Sequence, residues 1–241
     1  MTTHHPADLM TIAMSRLLQD GEVVFHGVAS PMPMTAVILA KHTHSPNLIY
    51  LSIAGAVDGS PAVLPTETTT DNSLLENCVS YITLTDIFDL SARGKLDTAF
   101  LGGVQIDKKG QINMSVIGDF EKPKVRLPGG AGSAVVMPTA KQTILWRTKH
   151  DVKTFVDKLS FITASGNTAY VITPRCIFKR EDGLLKVWRV FEGEDLATLA
   201  KETGFEIETA VDYKQFEIPT EQELKFLELI DPKGARYREF N

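Results

Sequence analysis

The chain of 241 residues, 43% hydrophobic and 23% charged, is long enough to bury a substantial core and has an ordinary globular composition. Its net charge of −5, with no lysine or arginine cluster, argues against a nucleic-acid groove, and no apolar run reaches the roughly 18 residues of a membrane span. Cys78 and Cys176 stand far apart without partners at ligand spacing, which excludes a disulfide framework and argues against structural zinc.

The N-terminus has His4, His5 and Asp8 where a signal peptide would have basic residues before a long apolar core, so a cytoplasmic protein is expected. Leu9, Met10, Met14, Leu17 and Leu18 recur at helical spacing over residues 6–19, and Asp20-Gly21 ends that helix. A strand over 22–28 runs into Ala29-Ser30-Pro31, where serine before proline suits a helix N-cap. A helix over 33–43 and a strand over 48–52 complete a βαβ crossover, which favours a parallel sheet. The pattern is lost from Ser60 to Ser80, which reads as a long loop over the sheet edge. Thr85 is expected to cap a helix through Ile87, Phe88 and Leu90 that ends at Arg93-Gly94.

An apolar strand then stops at Gly102-Gly103. A hairpin follows, with Asp107-Lys-Lys-Gly110 as its turn and Ile106 and Ile112 on its flanks. A helix over 133–139 and a strand over 143–146 come next. Strands are expected over 155–162, 169–173, 176–179 and 185–191, the last two joined by Glu181-Asp-Gly183. Helices follow over 194–202 and after Thr220, which forms a capping-box pair with Glu223. The whole chain, residues 1–241, reads as one α/β domain with a β-rich C-terminal part.

The stretch Pro128-Gly-Gly-Ala-Gly-Ser133 is the strongest chemical signal. Glycines free the backbone so that N–H groups of Gly129, Gly130, Ala131 and Gly132 can converge on an anion or a carbonyl ahead of Ser133. A tight turn without a ligand fits the same residues. The histidines are weak candidates: His42 and His44 face different ways on a helix, and His26 alternates with Val24 and Val28 as a packed strand residue. No Gly-x-Ser-x-Gly elbow, P-loop or dinucleotide fingerprint occurs.

Leu48-Ile-Tyr-Leu-Ser-Ile-Ala-Gly-Ala-Val-Asp58, Asp97-Thr-Ala-Phe-Leu-Gly-Gly-Val-Gln-Ile-Asp107, Gly110-Gln-Ile-Asn113 and Lys122-Pro-Lys-Val-Arg-Leu-Pro-Gly-Gly-Ala-Gly-Ser133 resemble the B subunits of the glutaconate CoA-transferase group, within the family I CoA-transferases. Ile218-Pro-Thr-Glu-Gln-Glu-Leu224 and Ile230-Asp-Pro-Lys233 are similar to B-subunit endings. The resemblance implies an open, mostly parallel sheet flanked by helices, and an A-subunit partner in a heterodimer or heterotetramer. It also implies a coenzyme A thioester as substrate, with no tightly bound cofactor and no metal. Family transferases place a nucleophilic glutamate just after the strand that ends here near Ser52. The corresponding residues are Ser52 and Ile53, and no acidic residue stands between Asn47 and Asp58.

Glutamate-lacking relatives include a decarboxylase of 3-methylglutaconyl-CoA and a hydrolase that opens steroid-derived rings. Gly27–Pro31 and Leu51–Val57 look more like the decarboxylase. Decarboxylation is therefore the expected reaction, with CoA transfer, hydrolysis and non-catalytic ligand binding as alternatives. Ser30, Gly55, Asn113 and Arg126 join the glycine loop as expected ligand-binding residues. Glu76-Asn77 only superficially resembles the family's Glu-Asn-Gly and sits too late in the chain.

Overall fold

A computed structural model describes residues 4–59, 64 and 68–240. Contacts divide the chain into two compact units, Met1–Phe100 with Ile218–Asn241, and Leu101–Glu217.

The first unit is built around the expected crossover. α1 (Pro6–Arg16) precedes β1 (Val23–His26), α2 (Pro31–Thr43) and β2 (Ile49–Leu51). β1 and β2 pair in parallel, Val24 beside Tyr50 and Phe25 beside Leu51. Every residue of α2 from Pro31 to Ala40 is buried, because α1 and the C-terminal elements cover its outer face. That accounts for a helix apolar on all sides.

β3 (Ala56–Val57) and β4 (Ser80–Tyr81) extend the edge antiparallel, and after α3 (Leu84–Ala92) the chain returns as β5 (Thr98–Gly102), parallel to β1. Two expectations change here. The cap of α3 is Thr83, not Thr85: its hydroxyl accepts from the Asp86 N–H at 3.2 Å while the Asp86 carboxylate accepts from the Thr83 N–H at 3.0 Å. Of the expected loop, residues 60–63 and 65–67 lie outside the described residues. Asn72–Leu75 forms a 3-10 turn capped by Asp71, and the segment ends as an edge strand.

The C-terminal helix (Glu221–Ile230) has the expected Thr220/Glu223 capping box. Beyond it, Ala235–Phe240 packs on α1 and α2. Arg236 ties this segment down through ion pairs to Asp8 at 2.6 Å and Asp231 at 2.8 Å. Glu239 accepts from the Met32 N–H at 3.3 Å, its second oxygen is buried without a partner among the described residues, and burial pushes its carboxyl up to about 8.

An unfolded glutamate titrates near 4.5, so between there and about 8 the folded chain holds a proton that the unfolded chain has released. Stability from this group is therefore full at acid pH and lost as pH rises toward 8. Urea unfolding should show E239Q gaining on the wild type across that window, by up to about 1.4 kcal/mol per pH unit. A pH-independent gap between the two would show Glu239 ionised in the fold.

In the second unit, β6 (Gln105–Asp107) and β7 (Ile112–Asn113) form the expected hairpin, with Ile106 opposite Ile112. Asp107 Oδ1 accepts from the N–H groups of Lys109 and Gln111, both at 2.9 Å, and so shapes the turn. A second hairpin, β8 (Val116–Gly118) with β9 (Pro123–Arg126), was not expected. α4 (Ser133–Thr139) and β10 (Gln142–Trp146) match their expected spans closely. β11 is only Phe155–Val156, paired with β6, in place of a strand to Ile162. Past Val156 the chain is drawn away to bond Ile112 through Thr163 and Ala164.

β12 (Thr168–Ile172) lies parallel to β10. β13 (Cys176–Glu181) and β14 (Leu184–Val190) follow antiparallel around Asp182-Gly183, both at positive φ as a tight hairpin turn demands. α5 (Leu196–Glu202), capped by Asp195, leads to β15 (Thr209–Gln215), parallel to β14 and unforeseen in its mostly exposed, polar sequence. The fold is α/β, a mostly parallel sheet flanked by helices with a strand-rich C-terminal part. Among the described residues no helix is long and apolar enough to cross a membrane.

Candidate active site

In the first unit, β2 ends in a tight turn onto β3. Ser52 is fully buried; its Oγ accepts from the Ala54 N–H at 3.0 Å and its carbonyl accepts from the Gly55 N–H at 3.0 Å. Gly55 sits at φ +102, with a Cβ there falling 3.1 Å from the Ile82 carbonyl oxygen, so glycine is required. Ile53 and Ala54 form the half-buried tip. The Ser52 side chain thus shapes the turn, and an apolar residue occupies its tip.

Ser30 is the residue before α2, as expected, but its hydroxyl donates back to the Val28 carbonyl at 3.1 Å instead of capping the helix. Ala29, at φ +50, directs its N–H to Thr69 Oγ1 at 3.1 Å.

His26 is the polar residue the sequence undervalued. It is fully buried; Nδ1 donates to the Gly27 carbonyl at 2.9 Å, which leaves Nε2 to accept from the Tyr50 hydroxyl. Burial pushes His26 down to about 4, so it is neutral at pH 7, and burial raises the Tyr50 phenol, with the nearby Ser52 hydroxyl opposing that rise. His26, Tyr50 and Ser52 therefore form a polar cluster at the carboxyl ends of β1 and β2, where open α/β sheets bind ligands. The alternation of Tyr50 on β2 with Ser52 just past its end held this signal. Tyr50→Phe should cost ~1–3 kcal/mol in urea unfolding, because Nε2 is left buried without a donor. An unchanged midpoint would show that the pair adds nothing.

In the second unit, the glycine loop is fastened at both ends. Gly129 N–H donates to the Met114 carbonyl at 2.7 Å, while the Ser133 N–H and hydroxyl donate to the Gly130 carbonyl at 2.8 and 2.6 Å. Those N–H groups are committed. The N–H groups of Gly130, Ala131 and Gly132 make no hydrogen bond among the described residues. Gly129 (φ +93) and Ala131 (φ +44) supply the left-handed geometry that turns the loop. Thr163 clamps it from below: its Oγ1 accepts from the Met114 N–H at 2.7 Å and bonds Ser115 Oγ at 2.7 Å.

Asn113 is fully buried and fully used. Its amide donates to Gln105 and to the Val116 carbonyl at 2.9 and 2.6 Å, and its oxygen accepts from the Ser115 and Val116 N–H groups. It builds the turn beneath the loop rather than offering a donor to a ligand. Arg126 is exposed on β9, with its guanidinium 5.3 Å from the centre of the Phe120 ring.

Over residues 7–201 the chain matches the family model described as Coenzyme A transferase. It is 33% identical to the second (B) subunit of the 3-oxoadipate CoA-transferase of Pseudomonas knackmussii, over 98% of this chain and 96% of that protein. The solved structure of the decarboxylase AibA/AibB superposes with a TM-score of 0.90 at 28% identity, covering 96% of this chain and 97% of the other. Glutaconate coenzyme A-transferase from Acidaminococcus fermentans superposes with a TM-score of 0.86 at 21% identity, over 98% of each chain, a likeness of fold.

Proposed function

The chain belongs to the coenzyme A transferase family, and from that membership we propose that it is the B subunit of a two-subunit enzyme acting on an acyl-CoA. Its partner is an A subunit of the same family, in a cytoplasmic heterodimer or heterotetramer, and residues 1–241 work as one subunit. The reaction is decarboxylation of a dicarboxylic, glutaconyl-type acyl-CoA. One observation carries this reading: the turn where family transferases hold a nucleophilic carboxylate has Ile53 at its tip and a buried Ser52 whose Oγ accepts from the Ala54 N–H.

Gly130, Ala131 and Gly132 present their N–H groups to the thioester carbonyl. As the bond to CO2 breaks, its electrons pass into the conjugated system and onto that oxygen, where the N–H groups meet the developing charge. The dienolate then takes a proton from water. In the first unit, the apolar tip at Ile53 supplies no carboxylate for covalent catalysis. The likeness to the decarboxylase AibA/AibB supports this reading.

A second reading, CoA transfer with a nucleophile from the A subunit, is favoured by the 33% identity to a 3-oxoadipate CoA-transferase chain. The test is to purify the complex, supply glutaconyl-type CoA esters with labelled acetate, and follow the products by mass spectrometry. Loss of CO2 without label exchange is expected. Exchange onto acetate would establish transfer instead.

A further inference from the structure

β10 ends at Trp146, and Arg147 follows, its N–H bonded to the Ile172 carbonyl of the parallel neighbour β12 at 3.0 Å. The Arg147 side chain is half-buried and its Nε is enclosed without an acceptor. Among the described residues its guanidinium makes no hydrogen bond or ion pair. The acid that acts on it through space is Asp151. That carboxylate is already engaged by the N–H groups of Lys153 and Thr154, at 3.0 and 2.8 Å. Taking a guanidinium out of water without a counter-ion is unfavourable, and unpaired buried charge concentrates where ligands bind.

The place in the fold points the same way. Ligands of α/β sheets sit beyond the carboxyl ends of parallel strands. β10 follows α4 after a two-residue link, and Arg147 stands at its carboxyl end beside Ile172 of the parallel strand β12. Trp146 Nε1 is a second enclosed donor without an acceptor. Strand alternation turns it to the opposite side, so the assignment is to Arg147 alone.

We propose that Arg147 is an oxyanion-binding residue, taking a carboxylate or phosphate group of the ligand in its planar fork. The identity of that ligand as an acyl-CoA rests on the function proposed above. The oxyanion is therefore either the free carboxylate of the acyl group or a phosphate of the CoA.

The test uses the complex of this chain with its A subunit. Phenylglyoxal labelling, read at Arg147 by peptide mass spectrometry, is first challenged with glutarate and with pyrophosphate. Protection by either is expected, and protection by neither overturns the proposal. Calorimetry then compares glutaryl-pantetheine, which has the carboxylate without phosphates, with CoA, which has the reverse. Arg147→Gln should weaken one of the two by about tenfold or more, with Arg147→Lys intermediate. Loss on glutaryl-pantetheine assigns the acyl carboxylate, and loss on CoA assigns a phosphate. Unchanged binding of both overturns the proposal, as does dissociation of the R147Q complex into subunits, which would make Arg147 an ion-pair partner of the A subunit. If the wild type binds neither thioester, the acyl-CoA reading fails, and the labelling of the wild type still decides Arg147.

Discussion

Ile53→Glu should abolish most CO2 release and open a route to CoA transfer. The substitution places a carboxylate at the half-buried tip of the Ser52–Gly55 turn, where Ile53 now stands. Two like charges about 4 Å apart at an effective dielectric near 20 repel by ~4 kcal/mol, roughly a thousandfold in rate. The same carboxylate can attack a thioester, displacing CoA through an anhydride, which places label from acetate in the product. Ile53→Gln separates the two effects, because it matches glutamate in size and hydrogen bonding without the charge. Equal activity of the two variants would show that charge at this turn is irrelevant, and the decarboxylase reading would lose its basis.

A second large effect is expected at Gly130. A Cβ there would lie 2.6 Å from Thr163 Cγ2 and 2.8 Å from Ser133 Oγ. Neither neighbour can yield easily, since Ser133 Oγ is bonded to the Gly130 carbonyl and Thr163 to Met114 and Ser115. The backbone must move, and with it the N–H groups of Gly130, Ala131 and Gly132. Misplacing one such donor typically costs ~10²–10³ in kcat, and overpacking costs ~1–3 kcal/mol of stability. Gly130→Ala should therefore lower kcat far more than it raises KM, with the circular dichroism spectrum retained. A fall in Tm with kcat intact would mean that the loop is structural and holds no reacting carbonyl.

The elements read correctly from the chain were those whose signals are local. The Thr220/Glu223 capping box, the Asp107–Gly110 turn and the Asp182-Gly183 hairpin each depend on a few neighbouring residues, and they fold as expected. The β1–α2–β2 crossover was legible for the same reason. Local likeness also misled. Thr85 was expected as the cap of α3, whereas the reciprocal bonds with Asp86 are made by Thr83. Thr209–Gln215 has the composition of a solvated segment, yet it pairs with β14 at the sheet edge, where backbone bonding outweighs side-chain hydrophobicity.

By itself the sequence determined the α/β class, the glycine loop, the apolar residue at Ile53 and, through its motifs, the family. Tertiary structure alone decided what each polar group is free to do. It commits the Gly129 N–H to Met114 and, among the described residues, leaves three N–H groups of the loop open. It consumes Asn113 in the turn beneath the loop, holds His26 neutral against Tyr50, and encloses the Arg147 Nε without an acceptor among the described residues. The reason is physical: a residue's type states which bonds it can make. Which of them are already made, and how much water remains, depends on residues up to dozens of positions away, such as Thr163 beneath Met114 and Tyr50 against His26.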